Sequence, residues 1–144
     1  MITQEEPISE NEPPVDDHHA RRVRVLLVED DRSLRRYLEV TIRRAGYDVI
    51  PAADGLQAMK VLLNSLVDIV ITDAMMPNLN GRELCRFVKN SPQLAHIPVV
   101  LLSALERKET NREAEPADAF LVKPVSAIDL IECLKELLSS ADKA

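Results

Sequence analysis

The chain has 144 residues, 46% of them hydrophobic and 29% charged, which suits one globular domain with a buried core and excludes a fibrous chain. No run of 18 or more apolar residues is present and the acidic start lacks the pattern of a secretory leader, so nothing reads as a membrane span or signal peptide. The net charge of −6 sits in the first 20 residues, where Glu5, Glu6, Glu10, Glu12, Asp16 and Asp17 face no Lys or Arg; the remaining 18 acids and 18 bases cancel, leaving no bias toward nucleic acid.

Residues 1–21 are polar, acidic and proline-containing, and read as a disordered tail in which His18-His19 is either a weak metal site or a solvated pair. VRVLLV (23–28) is a buried strand. Leu34, Leu38 and Ile42 then recur every four residues as a helix, with Arg43 and Arg44 in its last turn and Gly46 just past its end. YDVIPA (47–52) is a second strand, and Asp54 with Gln57 forms a capping pair for a helix to about Asn64. DIVIT (68–72) is a third strand, 81–90 a helix, IPVVLLS (97–103) a fourth strand and AFLVK (119–123) a fifth. Ser126 with Asp129 resembles a capping box for a last helix to about Ser139, leaving 141–144 as a C-terminal tail. Cys85 and Cys133 lie in helical, apolar stretches and read as buried free thiols of a reducing cytoplasm.

Apolar strands alternating with helices predict an α/β fold, a doubly wound parallel sheet of five strands covered on both faces. In such sheets a ligand site lies at the carboxyl ends of the strands. The polar residues there are Glu29, Asp30 and Asp31 after strand one, Asp73 after strand three, Ser103 after strand four and Lys123 after strand five. Clustered carboxylates repel one another, and a hard dication such as Mg²⁺ relieves that repulsion. With a lysine for an anion and a hydroxyl donor, the set suits phosphoryl transfer to a carboxylate. Each residue alone is as well explained by a helix cap or a surface ion pair. Other chemistries lack their motifs: there is no GxxxxGK[ST] or GxGxxG, and His96 has no metal-ligating neighbour.

LLVEDDRSLRR, DIVITDAMMPNLNG, VVLLSA and FLVKP together resemble the receiver domain of bacterial response regulators, the CheY-like family of two-component signal transduction, over residues 22–140. The resemblance implies a flavodoxin-like (βα)5 fold with strand order 2-1-3-4-5. It implies a phosphoacceptor of a phosphorelay, acting on no external substrate; the last helix ending near 139 adds the expectation that it is stand-alone, and the charge and hydropathy that it is cytoplasmic and binds neither nucleic acid nor membrane. The donor would be a phosphohistidine of a sensor histidine kinase or a histidine phosphotransfer protein, and the output a downstream protein target. By resemblance Asp73 is the phosphoacceptor. Glu29, Asp30, Asp73 and the backbone carbonyl of Met75 hold Mg²⁺, for which Mn²⁺ can substitute. Ser103 and Lys123 bind the phosphoryl group, and Ser103 with Phe120 forms the switch.

Departures from the family pattern gather after strand four. Glu115-Pro116-Ala117-Asp118 replaces a Gly-Ala-Asp turn, Val125 an aromatic, and Phe120 the commoner tyrosine. ERKETNRE (106–113) has no apolar residue, so helix four is expected to be short, displaced or irregular. Arg35, Arg36, Arg43 and Arg44 on the first helix are either a docking face for the phosphodonor or a solvated face. Two rival functions stay open: a phosphorylation-independent pseudo-receiver, and a Mg²⁺-dependent phosphatase with an aspartate nucleophile. The second would want an acid two residues after Asp73, where Met75 stands.

Overall fold

The computed structural model describes residues 21–76, 78–104 and 117–143, the side chains of 141–143 excepted. The order is β1 (Arg24–Val28), α1 (Arg32–Arg44), β2 (Asp48–Ala52), α2 (Gly55–Asn64), β3 (Ile69–Asp73), α3 (Gly81–Asn90), β4 (Val99–Ser103), β5 (Ala119–Val122) and α4 (Ala127–Lys143). All five strands pair in parallel in the order β2-β1-β3-β4-β5. The expectations for tail residues 1–20 and for a helix over 106–113 lie outside the described residues. No helix among the described residues is long and apolar enough to cross a membrane.

The continuous apolar runs are explained by burial on both faces. Leu26, Val28, Val70 and Val99 pack toward Ala58 and Leu62 of α2 and Leu84 and Val88 of α3. Their strand neighbours Val25, Leu27, Ile71 and Leu102 point the other way, toward Leu38 and Ile42 of α1 and Leu130 and Leu134 of α4. Alternation along a strand thus feeds two cores, and each large side chain removed from water contributes about 1.5–3 kcal/mol.

Local caps set where the helices begin. Asp31 accepts from the amides of Ser33 and Leu34 at 3.0 and 3.2 Å. Asn80 and Glu83 close a full capping box on α3. Asp54 caps α2 through the Gln57 amide, but the Gln57 side chain accepts from Ala53 N–H rather than from Asp54, so the expected pair closes one residue early. Ser126 Oγ accepts from Asp129 N–H, as read from the sequence. The last helix runs to Lys143, past Ser139, because 139–143 contains no Gly or Pro to stop it. Both cysteines are free, but only Cys85 is buried; Cys133 is partly exposed on α4, contrary to expectation.

The amino-terminal edge of the sheet is held by carboxylates that each have a cation of their own. Asp68 accepts from Arg24 N–H at 2.8 Å and pairs with Arg21. Asp118 accepts from Val99 N–H at 2.8 Å and pairs with Lys89 at 2.9 Å, while the same ammonium donates to the Ile97 carbonyl.

At the opposite edge α3 starts directly against the end of β3. Gly81 N–H donates to the Ala74 carbonyl at 3.1 Å. A Cβ on Gly81 would overlap the Asp73 carbonyl oxygen and lie 2.9 Å from Ala74 Cα, both backbone atoms that cannot step aside. Gly81→Ala is therefore expected to destabilise the fold by about 1–3 kcal/mol in denaturant unfolding; unchanged stability would contradict this packing.

Candidate functional site at the carboxyl edge of the sheet

Strand register brings the polar ends together. Val28 lies opposite Thr72, Asp73 opposite Leu102, and Ser103 opposite Val122. Glu29, Asp73, Ser103 and Lys123 therefore follow one another along one edge. Backbone bonds extend the ladders past the strand ends: Glu29 N–H to the Ala52 carbonyl at 3.0 Å and Lys123 N–H to the Ser103 carbonyl at 2.8 Å. The Lys123–Pro124 peptide is cis.

Lys123 Nζ lies 3.1 Å from Asp73 Oδ2 and 3.4 Å from Glu29 Oε1. The second contact is an ion pair without hydrogen-bond geometry, so buried Glu29 Oε1 makes no hydrogen bond among the described residues. Glu29 Oε2 accepts from Asp31 N–H at 3.1 Å, and Asp73 Oδ1 from Met75 N–H at 3.3 Å. Glu29 is 1% exposed and Asp73 6%, whereas Asp30 is exposed. Glu29, Asp30 and Asp73 each offer an oxygen within 4.8 Å of the others. Three carboxylates against one ammonium leave a formal charge of −2 when all are ionised (−3 + 1).

That imbalance appears in the titration of the groups. Burial pushes the Glu29 carboxyl up, and the Asp73 charge adds to this; the Asp31 amide and Lys123 offset only part of it. Burial pulls the Lys123 ammonium down, but Asp73 and Glu29 outweigh it and its pKa rises. The donor set fits a hard dication: carboxylate oxygens close together, one of them buried without a hydrogen bond, and a charge deficit of the matching sign. Ser103 is 2% exposed and its Oγ has no hydrogen-bond partner among the described residues, an unspent donor two residues beyond the pairing of Leu101 with Phe120.

The sequence-derived candidates thus divide by place. Glu29, Asp30, Asp73 and Lys123 meet. Ser103 joins them through its strand, and the Met75 backbone lies beside Asp73 while its side chain is 67% exposed. Phe120 stands apart, partly buried on β5 opposite Leu101. His96 is exposed. The arginines of α1 differ in their contacts. Arg35 Nη1 donates to the Glu29 carbonyl at 2.8 Å, and Arg43 to the Val49 carbonyl at 2.9 Å and to Glu39. Arg36, Arg43 and Arg44 are exposed, and Arg35 alone of the four is partly buried. Arg35 sits next to Leu34 on the helix, beside the apolar stripe, which was the available signal that it turns inward.

The raised Glu29 pKa fixes the sign of a pH effect. A proton on Glu29 competes with a cation, and does so above the usual 4.5 for this side chain. Mg²⁺ affinity is expected to weaken as pH falls through that raised value. Without metal, this group's contribution to stability is larger on the acid side and shrinks as pH rises through the folded pKa. Thermal midpoints of the wild type and Glu29→Gln, with and without Mg²⁺ between pH 7.5 and 5, check both effects. Glu29→Gln should lose both the Mg²⁺ shift and this part of the pH dependence; a variant that keeps both would remove Glu29 from the site.

The sequence model of the response regulator receiver domain matches residues 25–135. Among curated relatives, the gliding motility regulatory protein of Myxococcus xanthus is 37% identical over 114 residues, which cover 78% of this chain and 15% of that protein. Protein PilG of Pseudomonas aeruginosa is 30% identical over 115 residues, covering 78% of this chain and 85% of PilG. The chain thus spans only a small part of the first relative and most of the second. Among solved structures, the signal receiver domain of a signal transduction histidine kinase from Syntrophus aciditrophicus is similar at 31% identity with a TM-score of 0.79, covering 85% of this chain and 94% of that one.

Proposed function

Because the chain belongs to the response regulator receiver domain family of two-component systems, we propose that it is a phosphoacceptor switch, taking a phosphoryl group onto Asp73 from a phosphohistidine of a sensor histidine kinase or histidine phosphotransfer protein. Receiver domains are generally signalling modules rather than turnover enzymes. The observation that supports the reading is the Lys123 contact with Asp73 at 3.1 Å, beside the end of β4 where Ser103 Oγ has no hydrogen-bond partner among the described residues.

Mg²⁺ would be held by Glu29, Asp30, Asp73 and the Met75 backbone carbonyl, and when bound it supplies positive charge to the phosphoryl oxygens. An Asp73 carboxylate oxygen attacks phosphorus as the P–N bond to the donor imidazole breaks, giving an acyl phosphate. Before transfer, Lys123 holds the Asp73 carboxylate ready; afterwards the negative charge lies on the phosphoryl oxygens and the ammonium follows it. Ser103 Oγ–H then has an acceptor, which it lacks among the described residues. Its movement toward the phosphoryl group frees room for Phe120 to turn inward on β5, which alters the surface offered to a downstream protein. Arg36, Arg43 and Arg44 leave α1 a basic face for the phosphodonor. A cytoplasmic setting agrees with the free thiols.

Incubation with Mg²⁺ and acetyl phosphate, read by intact mass, is expected to give a single hydroxylamine-sensitive phosphoryl adduct. It should vanish in Asp73→Asn and form on the order of 10²-fold more slowly in Lys123→Met. An adduct that persists in Asp73→Asn would overturn the assignment. Turnover of a phosphate ester without a stable adduct would point to phosphatase chemistry instead.

A further inference from the structure

We infer that Arg35 is a positioning residue for the acid pair, holding the strand end that carries Glu29 and Asp30 so that their carboxylates converge with Asp73. The inference rests on the reading of those carboxylates as the Mg²⁺ site. Glu29 lies one residue beyond the β1 ladder, where parallel pairing stops. Its segment is nonetheless fixed at five points. Glu29 N–H is bonded to Ala52, its Oε2 to Asp31 N–H, Asp31 Oδ1 to two amides of α1, and the Asp31 carbonyl to Arg35 N–H at 2.8 Å. The fifth is the Arg35 guanidinium on the Glu29 carbonyl, partly buried. It is the one tether among these that comes from a side chain of α1 past its first turn. It therefore ties the helix body to the loop and fixes the distance between them.

The role is distinct from a simple charge effect, and the two have opposite signs. A cation beside a cluster of charge −2 opposes a second cation, so removing Arg35 would strengthen Mg²⁺ binding if charge were all that mattered. If positioning dominates, removing it weakens binding, because the carboxylates lose their preset geometry. Arg35→Lys separates the two. It keeps the charge but replaces a planar fork with a shorter, more strongly hydrated ammonium.

The experiment measures Mg²⁺ affinity by calorimetry in wild type, Arg35→Lys, Arg35→Met and Arg32→Met, with the metal-free thermal midpoint as the check on folding. Arg32 is exposed at the start of the same helix and removes a nearby charge without touching Glu29. Arg35→Lys and Arg35→Met are both expected to bind Mg²⁺ on the order of tenfold more weakly, while Arg32→Met binds as wild type or slightly tighter. At saturating Mg²⁺ the adduct with acetyl phosphate should form at close to the wild-type rate in Arg35→Lys, since the loss lies in assembling the site. Should Arg35→Met fail to fold, Arg35→Lys carries the test. Unchanged affinity in Arg35→Lys, or tighter binding in Arg35→Met, overturns the positioning role while leaving the metal site intact. A wild type that takes up no Mg²⁺ overturns the metal reading and this inference with it.

Discussion

Lys123 answers two buried carboxylates with a single ammonium, 3.1 Å from Asp73 and 3.4 Å from Glu29. This contact ties the ends of β1, β3 and β5 together across the centre of the sheet. It also leaves the edge short of positive charge. A buried ion pair is weak support for stability, because desolvation takes back most of the attraction. Here the arrangement is less favourable still, since a third carboxylate stands within reach and one Glu29 oxygen goes without a hydrogen bond. A sequence selected for stability alone would place an apolar side chain at position 29, at the end of four fully buried residues.

The other edge of the same sheet shows what balanced electrostatics looks like in this molecule. Asp68 has Arg21 and a backbone amide, and Asp118 has Lys89 and a backbone amide. Those carboxylates bridge neighbouring elements and are satisfied. The contrast between the edges is the physical reason to place chemistry at the carboxyl end. There the strain is electrostatic, local and of the sign that a divalent cation and a transferred phosphoryl group would relieve. Gly81 serves that edge by letting α3 begin against the Asp73 carbonyl, which holds the loop through Met75 close to the carboxylate.

Much of the fold was legible because two signals agreed: continuous apolar strand runs, and caps between them. Strand order was implied by family resemblance rather than by periodicity. The convergence of Glu29, Asp30, Asp73 and Lys123 followed from one rule, that polar residues ending parallel strands share an edge. What stayed hidden depended on side-chain direction. Arg35 and Arg36 are adjacent and chemically identical, yet one turns to a carbonyl and the other to solvent. Cys133 lies on a helix whose apolar pattern is too broad to separate its buried residues from those at its rim. Asp54 takes the Gln57 amide as expected, but the Gln57 side chain accepts from Ala53 N–H, one residue before Asp54. The close approach at Gly55, where a Cβ would overlap Leu79, joins segments 24 residues apart and leaves no local trace.

Paramagnetic Mn²⁺ tests most directly whether the charge deficit at this edge is a cation site. Added at substoichiometric amounts to isotope-labelled protein, it is expected to broaden the amide resonances of Glu29–Asp31, Asp73–Met75 and Lys123 first, and excess Mg²⁺ should restore them. Broadening that appears instead on other surface acids, or a carboxyl edge that stays sharp, would contradict the account.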